Sequence, residues 1–287
     1  MTTLVSIDGK PCEPQQATVS VFDRGFLYGD SVFETVRTYD GQPYALVEHL
    51  ERLKQSADRV FIDLPLGLEQ LAAEVRALVE QAGNPESYIR VMITRGNSLT
   101  MGLPPDLSSG PRRVIIITPL SPPSAELYAS GIKVVTYRTR RATDDTGAEG
   151  AKVANYLVAV MAMKQARAAD AHEALIVDGQ GHIVEGATSN VFFVSSGKLV
   201  TPPLSAGILP GITRAGVLKV ADEVGIGVEL RAPRLEDLLA AEEVFISSSV
   251  RELLAVTHVD GKPIAGAVPG PTYQRLLEGF RAHVRVG

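Results

Sequence analysis

The chain has 287 residues, 45% of them hydrophobic and 21% charged, which is ordinary for a globular protein able to bury substantial cores. A net charge of −5 excludes the basic footprint that nucleic acid or an anionic membrane demands, and no apolar run reaches the length of a membrane span. A single cysteine, Cys12, precludes an internal disulfide, and MTTLVSIDGK lacks the basic region and apolar run of a signal peptide, so the expectation is a cytoplasmic protein.

In chain order, LVSI predicts a strand followed by a DGK turn. SVFETVRTY and QPYAL read as strands flanking Asp40-Gly41, a hairpin signal, and alternation puts Phe33, Thr35, Arg37 and Tyr39 on one face. The spacing of Leu46, Leu50, Leu53, Ala57 and Val60 predicts a helix through LVEHLERLKQSADRVF. A second helix runs through LEQLAAEVRALVEQAG, with Gly83 as its C-terminal cap. SYIRVMITRG alternates with Ile89, Val91 and Ile93 on one side and Tyr88, Arg90 and Met92 on the other; VIIIT completes this part. PLSPPSA, residues 119 to 125, reads as a linker because clustered prolines disfavour both helix and ladder.

Beyond it, GIKVVTYR reads as a strand and VANYLVAVMAMKQARAA as a helix apolar on most sides, hence buried. Two hairpins follow, ALIV-DGQG-HIVE and VFFV-SSGK-LVTP. A helix starts near Gly211, EVFISSS is a buried strand, and PTYQRLLEGFRAHV places Tyr273, Leu276, Leu277 and Phe280 on one side of a last helix. The pattern is α+β, with a small N-terminal α/β domain over 1–118, a linker over 119–127 and a larger domain over 128–287. HExxH, CxxC, GxGxxG after a strand and GxxxxGK[ST] are all missing, so metal, Rossmann and P-loop readings have no support.

Lys152 stands where a glycine-containing loop, GAEG, runs toward the apolar helix. It is either a solvated first-turn lysine or a partly desolvated amine with the depressed pKa a Schiff-base nucleophile needs. Glu185, ending a hairpin strand, is either a surface turn carboxylate or a buried acid facing a heterocyclic nitrogen. Three features could hold a phosphate: LPGITRAG with Thr213 at a helix start, Ser247, Ser248 and Ser249 after an apolar strand, and Arg52 on the first long helix. Each also has a plain reading, and Arg52 could pair with Glu48 at i,i+4.

RGFLYGDSVFETVR, EHLERL, YIRVMITRG, AKVANYL, HIVEGATSNVFFV, TPPLSAGILPGITR and EVFISSSVREL, in that order, resemble the fold type IV (class IV) aminotransferases, which use pyridoxal 5'-phosphate (PLP). The resemblance implies a two-domain fold with a pseudo-barrel in the larger domain, and a homodimer. It implies that Lys152 carries the cofactor as a Schiff base and moves the proton, that Glu185 pairs with the pyridine nitrogen and that Leu209 lies against the ring. Tyr156 then meets the 3′-oxygen, while Arg52, Ile212, Thr213, Ser248 and Ser249 belong to the phosphate cradle. Tyr28, Phe33, Arg37, Tyr88 and Arg90 match pocket positions of branched-chain members.

The implied reaction transfers an amino group from a branched-chain or other aliphatic L-amino acid to a 2-oxo acid such as 2-oxoglutarate. D-amino-acid or (R)-amine transamination, aminodeoxychorismate lyase activity, and a non-catalytic binding or assembly module are the alternatives. NSLTMGLPP offers Thr100 and Gly102 where D-specific members often carry arginine and histidine. Two departures touch the branched-chain reading. The family's EGIR is ETVR here, and its SGTAAE-like turn is SSSVRE, so Val250 and Arg251 replace small residues beside the carboxylate site. Arg251 either neutralises a substrate carboxylate or points to solvent.

Overall fold

A computed structural model describes residues 1–139 and 148–286. Contacts divide the chain into two units, Met1–Ser121 with Ala151–Asn155, and Pro122–Gly150 with Tyr156–Gly287.

The first unit is built from β1 (Leu4–Ile7), β2 (Lys10–Cys12), α1 (Arg24–Tyr28), β3 (Ser31–Tyr39), β4 (Gln42–Pro43), α2 (Leu46–Arg59), α3 (Leu68–Ala82), β5 (Ser87–Thr94) and β6 (Arg112–Pro119). Its sheet runs β2-β1-β6-β5-β3-β4, antiparallel throughout. Val32, Val36, Ile89, Val91, Ile93, Ile115 and Ile117 bury one face against the leucine stripes of α2 and α3. Asp40 and Gly41 both have positive φ, 49° and 76°, the hairpin geometry their sequence demands. Only Gln42–Pro43 of QPYAL is strand: Pro43 brings no N–H to the ladder, and Ala45 takes a left-handed turn that opens α2.

The register of β3 against β5 pairs Phe33 with Met92, Thr35 with Arg90 and Arg37 with Tyr88. The segment around Lys152 returns to this unit and lies along the β3 edge away from β5. Val153 bridges to Val32, the Phe33 N–H donates to the Lys152 carbonyl at 3.1 Å, and the Ala154 N–H to the Ser31 carbonyl at 2.9 Å. Lys152 therefore groups with the first unit rather than with the later half of the chain.

The second unit holds α4 (Ala125–Ser130), β7 (Ile132–Arg138), α5 (Leu157–Ala168), β8 (Glu173–Val177), β9 (Ile183–Gly186), β10 (Asn190–Ser195), β11 (Lys198–Thr201), α6 (Ile212–Glu223), β12 (Val228–Leu230), α7 (Leu235–Leu239), β13 (Glu243–Ser248), β14 (Glu252–Val259), β15 (Lys262–Pro263) and α8 (Pro271–Val286). The sheet order is β12-β11-β10-β13-β14-β7-β8-β9, with β15 on β14, and the sheet curls as a half-barrel. The proline-rich stretch proves short as a linker. Pro119 still ends β6, and the Ser124 hydroxyl caps α4 by accepting the Leu127 N–H at 3.2 Å.

Helix α5 corrects the expectation of all-round burial. Ala162 and Ala166 are its buried residues, packed with Val135, Ala174 and Ile176, whereas Leu157, Val160 and Met161 are 67%, 59% and 47% exposed. Small residues let one stripe approach the sheet closely, while Leu157, Val160 and Met161 stand on the exposed side. Among the described residues, no helix is long and apolar enough to cross a membrane.

Candidate functional site

In the first unit, Lys152 is half-buried and lies in the loop ahead of α5, not in that helix's first turn. Its N–H donates to Ser56 Oγ at 3.1 Å and its carbonyl accepts from Phe33, so the main chain is held on both sides. Of the preceding GAEG, Gly147 lies outside the described residues. Lys152 Nζ stands 4.8 Å from the Phe33 ring centroid, and the Arg90 guanidinium lies over the same ring at 3.8 Å. Thr35 Oγ1 and Tyr88 Oη are 3.4 Å apart on that face. The strand alternation thus brings Phe33, Tyr88, Arg90 and Lys152 together. Arg37 shares the face, but its guanidinium bonds the Thr38 carbonyl, lies over the Tyr39 ring and approaches Glu86. Tyr28 belongs to a different group, its hydroxyl accepting the Gly102 N–H at 3.4 Å.

The opposite face of β3 carries a polar cluster inside the apolar core. Glu34, between Val32 and Val36, is fully buried and accepts Arg52 Nε and Nη2, each at 2.7 Å. His49 Nδ1 lies 2.8 Å from Glu34 Oε2; facing a carboxylate, this nitrogen carries the proton. Burial opposes the Glu34 charge, but the Arg52 guanidinium and the His49 hydrogen bond outweigh it and bring the carboxyl down to about 2. Burial likewise depresses His49 below its ordinary value, despite the Glu34 carboxylate beside it. The partner that Arg52 grips with its Nε–Nη2 fork is not the neighbouring Glu48 of the helix but Glu34, 18 residues earlier.

In the second unit, Glu185 on β9 pairs with Ile176 across the ladder, and its Oε2 accepts the Leu209 N–H at 2.9 Å. Asn190, buried at the start of β10, donates to the Leu209 carbonyl at 3.1 Å. A Cβ on Gly211 would stand 2.0 Å from Asn190 Oδ1, so glycine is required for this close approach. Gly211 is the N-cap of α6 and supplies no side-chain cap, while the first-turn N–H groups of Ile212 and Thr213 have no intrahelical acceptor. Cross-strand from Asn190 stands Ser247, buried, its hydroxyl without a hydrogen-bond partner among the described residues. An uncapped helix start and an orphaned hydroxyl form a donor set suited to an anion. Tyr156 stands at the N-cap position of α5, where its side chain makes no cap hydrogen bond.

Ser248 accepts the Arg251 N–H and Nε, closing the turn that holds Ser249 and Val250. Arg251 neither points to solvent nor presents an open cation. Its Nη2 donates to Glu173 Oε2 at 2.7 Å and to Thr188 Oγ1 at 2.8 Å. Sequence reading missed Glu34, His49, Asn190 and Glu173. The visible signal for Glu34 was a carboxylate on the apolar side of an alternating strand.

A model of the family described as Amino-transferase class IV matches residues 31–259. The chain is 38% identical over 277 residues to the putative branched-chain-amino-acid aminotransferase of Methanocaldococcus jannaschii, covering 96% of this chain and 95% of that one. It is 32% identical over 272 residues to the D-alanine aminotransferase of Bacillus licheniformis, covering 93% and 92%. Among solved structures, the branched-chain amino acid aminotransferase of Escherichia coli matches with a TM-score of 0.92 at 31% identity, over 98% of this chain and 94% of that one.

Proposed function

We propose a substrate class and a set of site residues for this chain, which belongs to the class IV aminotransferases, shares their fold and is a PLP-dependent enzyme. The binding-module alternative is thereby set aside. The reaction moves an amino group from a branched-chain or other aliphatic L-amino acid to a 2-oxo acid, with 2-oxoglutarate as acceptor. The observation that carries this reading is the 38% identity, nearly end to end, with a putative branched-chain-amino-acid aminotransferase. The Phe33, Tyr88 and Arg90 face supports it, pairing aromatic surface for a hydrocarbon side chain with a cation for the second carboxylate of the acceptor.

The donors present fit the cofactor. In the second unit the phosphate suits the uncapped start of α6 at Ile212 and Thr213 and the Ser247 to Ser249 segment with its orphaned hydroxyl; the family resemblance adds Arg52 to this cradle. PLP supplies an electron sink for the pair released when a substrate C–H bond breaks. Glu185, its oxygen oriented by the Leu209 N–H, would keep the ring nitrogen protonated, and Leu209 would lie against the ring. Lys152 Nζ holds the cofactor at rest, then takes the proton from substrate Cα. Its fixed main chain confines that motion to the side chain. By the family resemblance, Tyr156 would meet the 3′-oxygen, Tyr28 and Arg37 would belong to the substrate pocket, and Val250 and Arg251 would lie beside the carboxylate end.

A second reading, transamination of D-amino acids, is favoured by the 32% identity to a D-alanine aminotransferase. Spectra separate the cases. The wild type gains a visible band on PLP addition that Lys152→Ala lacks, and L-leucine discharges the band. Discharge by D-alanine or (R)-1-phenylethylamine but not by L-leucine overturns the first reading, and an identical band in Lys152→Ala overturns the assignment of the lysine. We further read the chain as a cytoplasmic homodimer. The uncovered apolar surface of α5 and the free thiol of Cys12 support this.

A further inference from the structure

Of the polar cluster behind β3 only Arg52 has a part in the chemistry just described, yet Glu34 beside it is the most heavily buried charge in the first unit. Glu34, His49 and Arg52 are 0%, 1% and 5% exposed. A buried ion pair is an expensive way to fix a helix to a strand, since apolar side chains of similar size do so at equal or lower cost. The surroundings of this pair are apolar: Val32 and Val36 flank Glu34, and Leu50 and Leu53 flank the α2 face that carries His49 and Arg52. The same face continues to Ser56, so that His49, Arg52 and Ser56 follow at i, i+3 and i+7. Ser56 accepts the Lys152 N–H, and the Lys152 charge is felt at His49. The cluster and the backbone anchor of Lys152 are therefore one structure, spanning two turns of α2.

The geometry of the fork is specific. Glu34 Oε1 takes Arg52 Nε and Oε2 takes Nη2, with His49 Nδ1 and the Thr35 N–H converging on Oε2 at 2.8 and 3.2 Å. Three donors on one oxygen leave the carboxylate a single orientation. Because the guanidinium is planar and rigid, fixing its Nε–Nη2 edge also fixes the direction in which Nη1 points.

We propose that Glu34 is a positioning residue, which sets the Arg52 guanidinium as a receptor for the cofactor's phosphate by gripping its Nε–Nη2 edge, with His49 as the brace of that grip. This rests on the assignment of Arg52 to the phosphate cradle made above. A residue serving only to hold the fold affects every ligand alike; a residue acting through Arg52 affects only ligands that bear the phosphate.

The test compares PLP with pyridoxal, which has the same aldehyde and ring but no phosphate, by absorbance titration of the apoenzyme. In Glu34→Asp the charge is retained but drawn back by one methylene. PLP binding weakens about tenfold or more, as expected for disturbing one charge-assisted contact, while pyridoxal binding stays as in the wild type. Glu34→Gln acts in the same direction. Should it fail to fold, with Arg52 left uncompensated, Glu34→Asp decides alone. Inorganic phosphate is expected to raise the melting temperature of the wild-type apoenzyme and to protect Glu34→Asp less. In an Arg52→Ala background, Glu34→Asp adds no further loss of PLP affinity.

Equal weakening of PLP and pyridoxal, or no change in either, overturns the role of Glu34. Arg52→Ala with undiminished preference for PLP over pyridoxal overturns the receptor itself. A wild type that forms no band with PLP fails the functional reading instead, and Lys152→Ala shows which of these has happened.

Discussion

Arg251 is bound to Glu173: a guanidinium on the turn before β14 reaches a carboxylate at the first residue of β8, 78 positions away in sequence, at 2.7 Å. Glu173 is wholly buried, and its Oε2 also accepts the Thr188 hydroxyl at 2.7 Å and that of Ser189 at 3.3 Å. One carboxylate oxygen thus joins the turn after Glu185 to the turn holding Ser248 and Ser249.

Breaking this pair from the carboxylate side strands a cation in a largely buried place. Glu173→Gln is expected to lose roughly 3–5 kcal/mol of unfolding free energy, measured by urea denaturation. Arg251→Met with Glu173→Gln, which removes both charges, recovers part of that loss. A double variant no more stable than Glu173→Gln contradicts the pairing. Since its charge is already met by Glu173, Arg251→Met is expected to leave the KM for the proposed acceptor, 2-oxoglutarate, within about threefold, a change worth less than ~1 kcal/mol.

Acid weakens the first unit in two stages. His49 has a folded pKa below its free value of 6.5, so its contribution is complete above that value and is lost as pH falls through the lower folded one. Glu34 is depressed from 4.5 to about 2, so the stability it adds is complete above 4.5 and disappears as pH falls toward 2. A pH series of melting temperatures should show both declines. In His49→Gln, which cannot titrate, the earlier decline is removed and the later one remains. An unchanged profile in that variant contradicts the buried neutral imidazole.

Helix α8 is opened by a distant side chain. Glu243 Oε1 accepts the Thr272 N–H at 2.8 Å and Oε2 the Tyr273 N–H at 2.7 Å, doing from β13 what a local cap does for other helices. Tyr273, Leu276 and Phe280 follow as the buried stripe. Glu243→Ala should cost about 1–2 kcal/mol or more, since two helix donors lose their acceptor. Hydrogen exchange at Thr272 and Tyr273 should accelerate ahead of the rest of α8.

The apolar surface of α5 gives the oligomer a direct test. Met161→Glu and Leu157→Glu place charge on positions 47% and 67% exposed in the single chain, where folding is scarcely affected. Multi-angle light scattering should find a dimer in the wild type and a shift to monomer in the double variant. A dimer equally robust in both rules out α5 as the interface.

Much of this architecture is legible in the sequence because its signals are local. Asp40-Gly41 predicts its hairpin, Gly83 its helix end, and the Ile89, Val91, Ile93 alternation the buried face of β5. Tyr88 and Arg90 were placed together by the same period. What escaped depends on pairings far apart along the chain. Arg52 had an apparent partner one turn away in Glu48, and only the packing of α2 on β3 reveals Glu34 in the grip of its fork. Arg251 posed a choice between substrate and solvent because Glu173 lies on another strand. The burial of α5 was misjudged because composition reports how apolar a helix is, not how many of its sides the same chain covers.

The two-sided backbone anchorage of Lys152 bears on how this enzyme can tolerate change. Residues 148–156, ahead of α5, hold no helix or strand of their own and look like a place where length could vary freely. Yet Lys152 to Ala154 follow β3 rung by rung. A one-residue insertion or deletion between Val153 and the loop would advance the ladder by one step, and successive side chains on such a ladder alternate sides. The amine would then leave the Phe33 ring for the interior face, with no residue substituted. At Lys152 to Ala154 spacing, more than identity, decides on which side of β3 the amine stands.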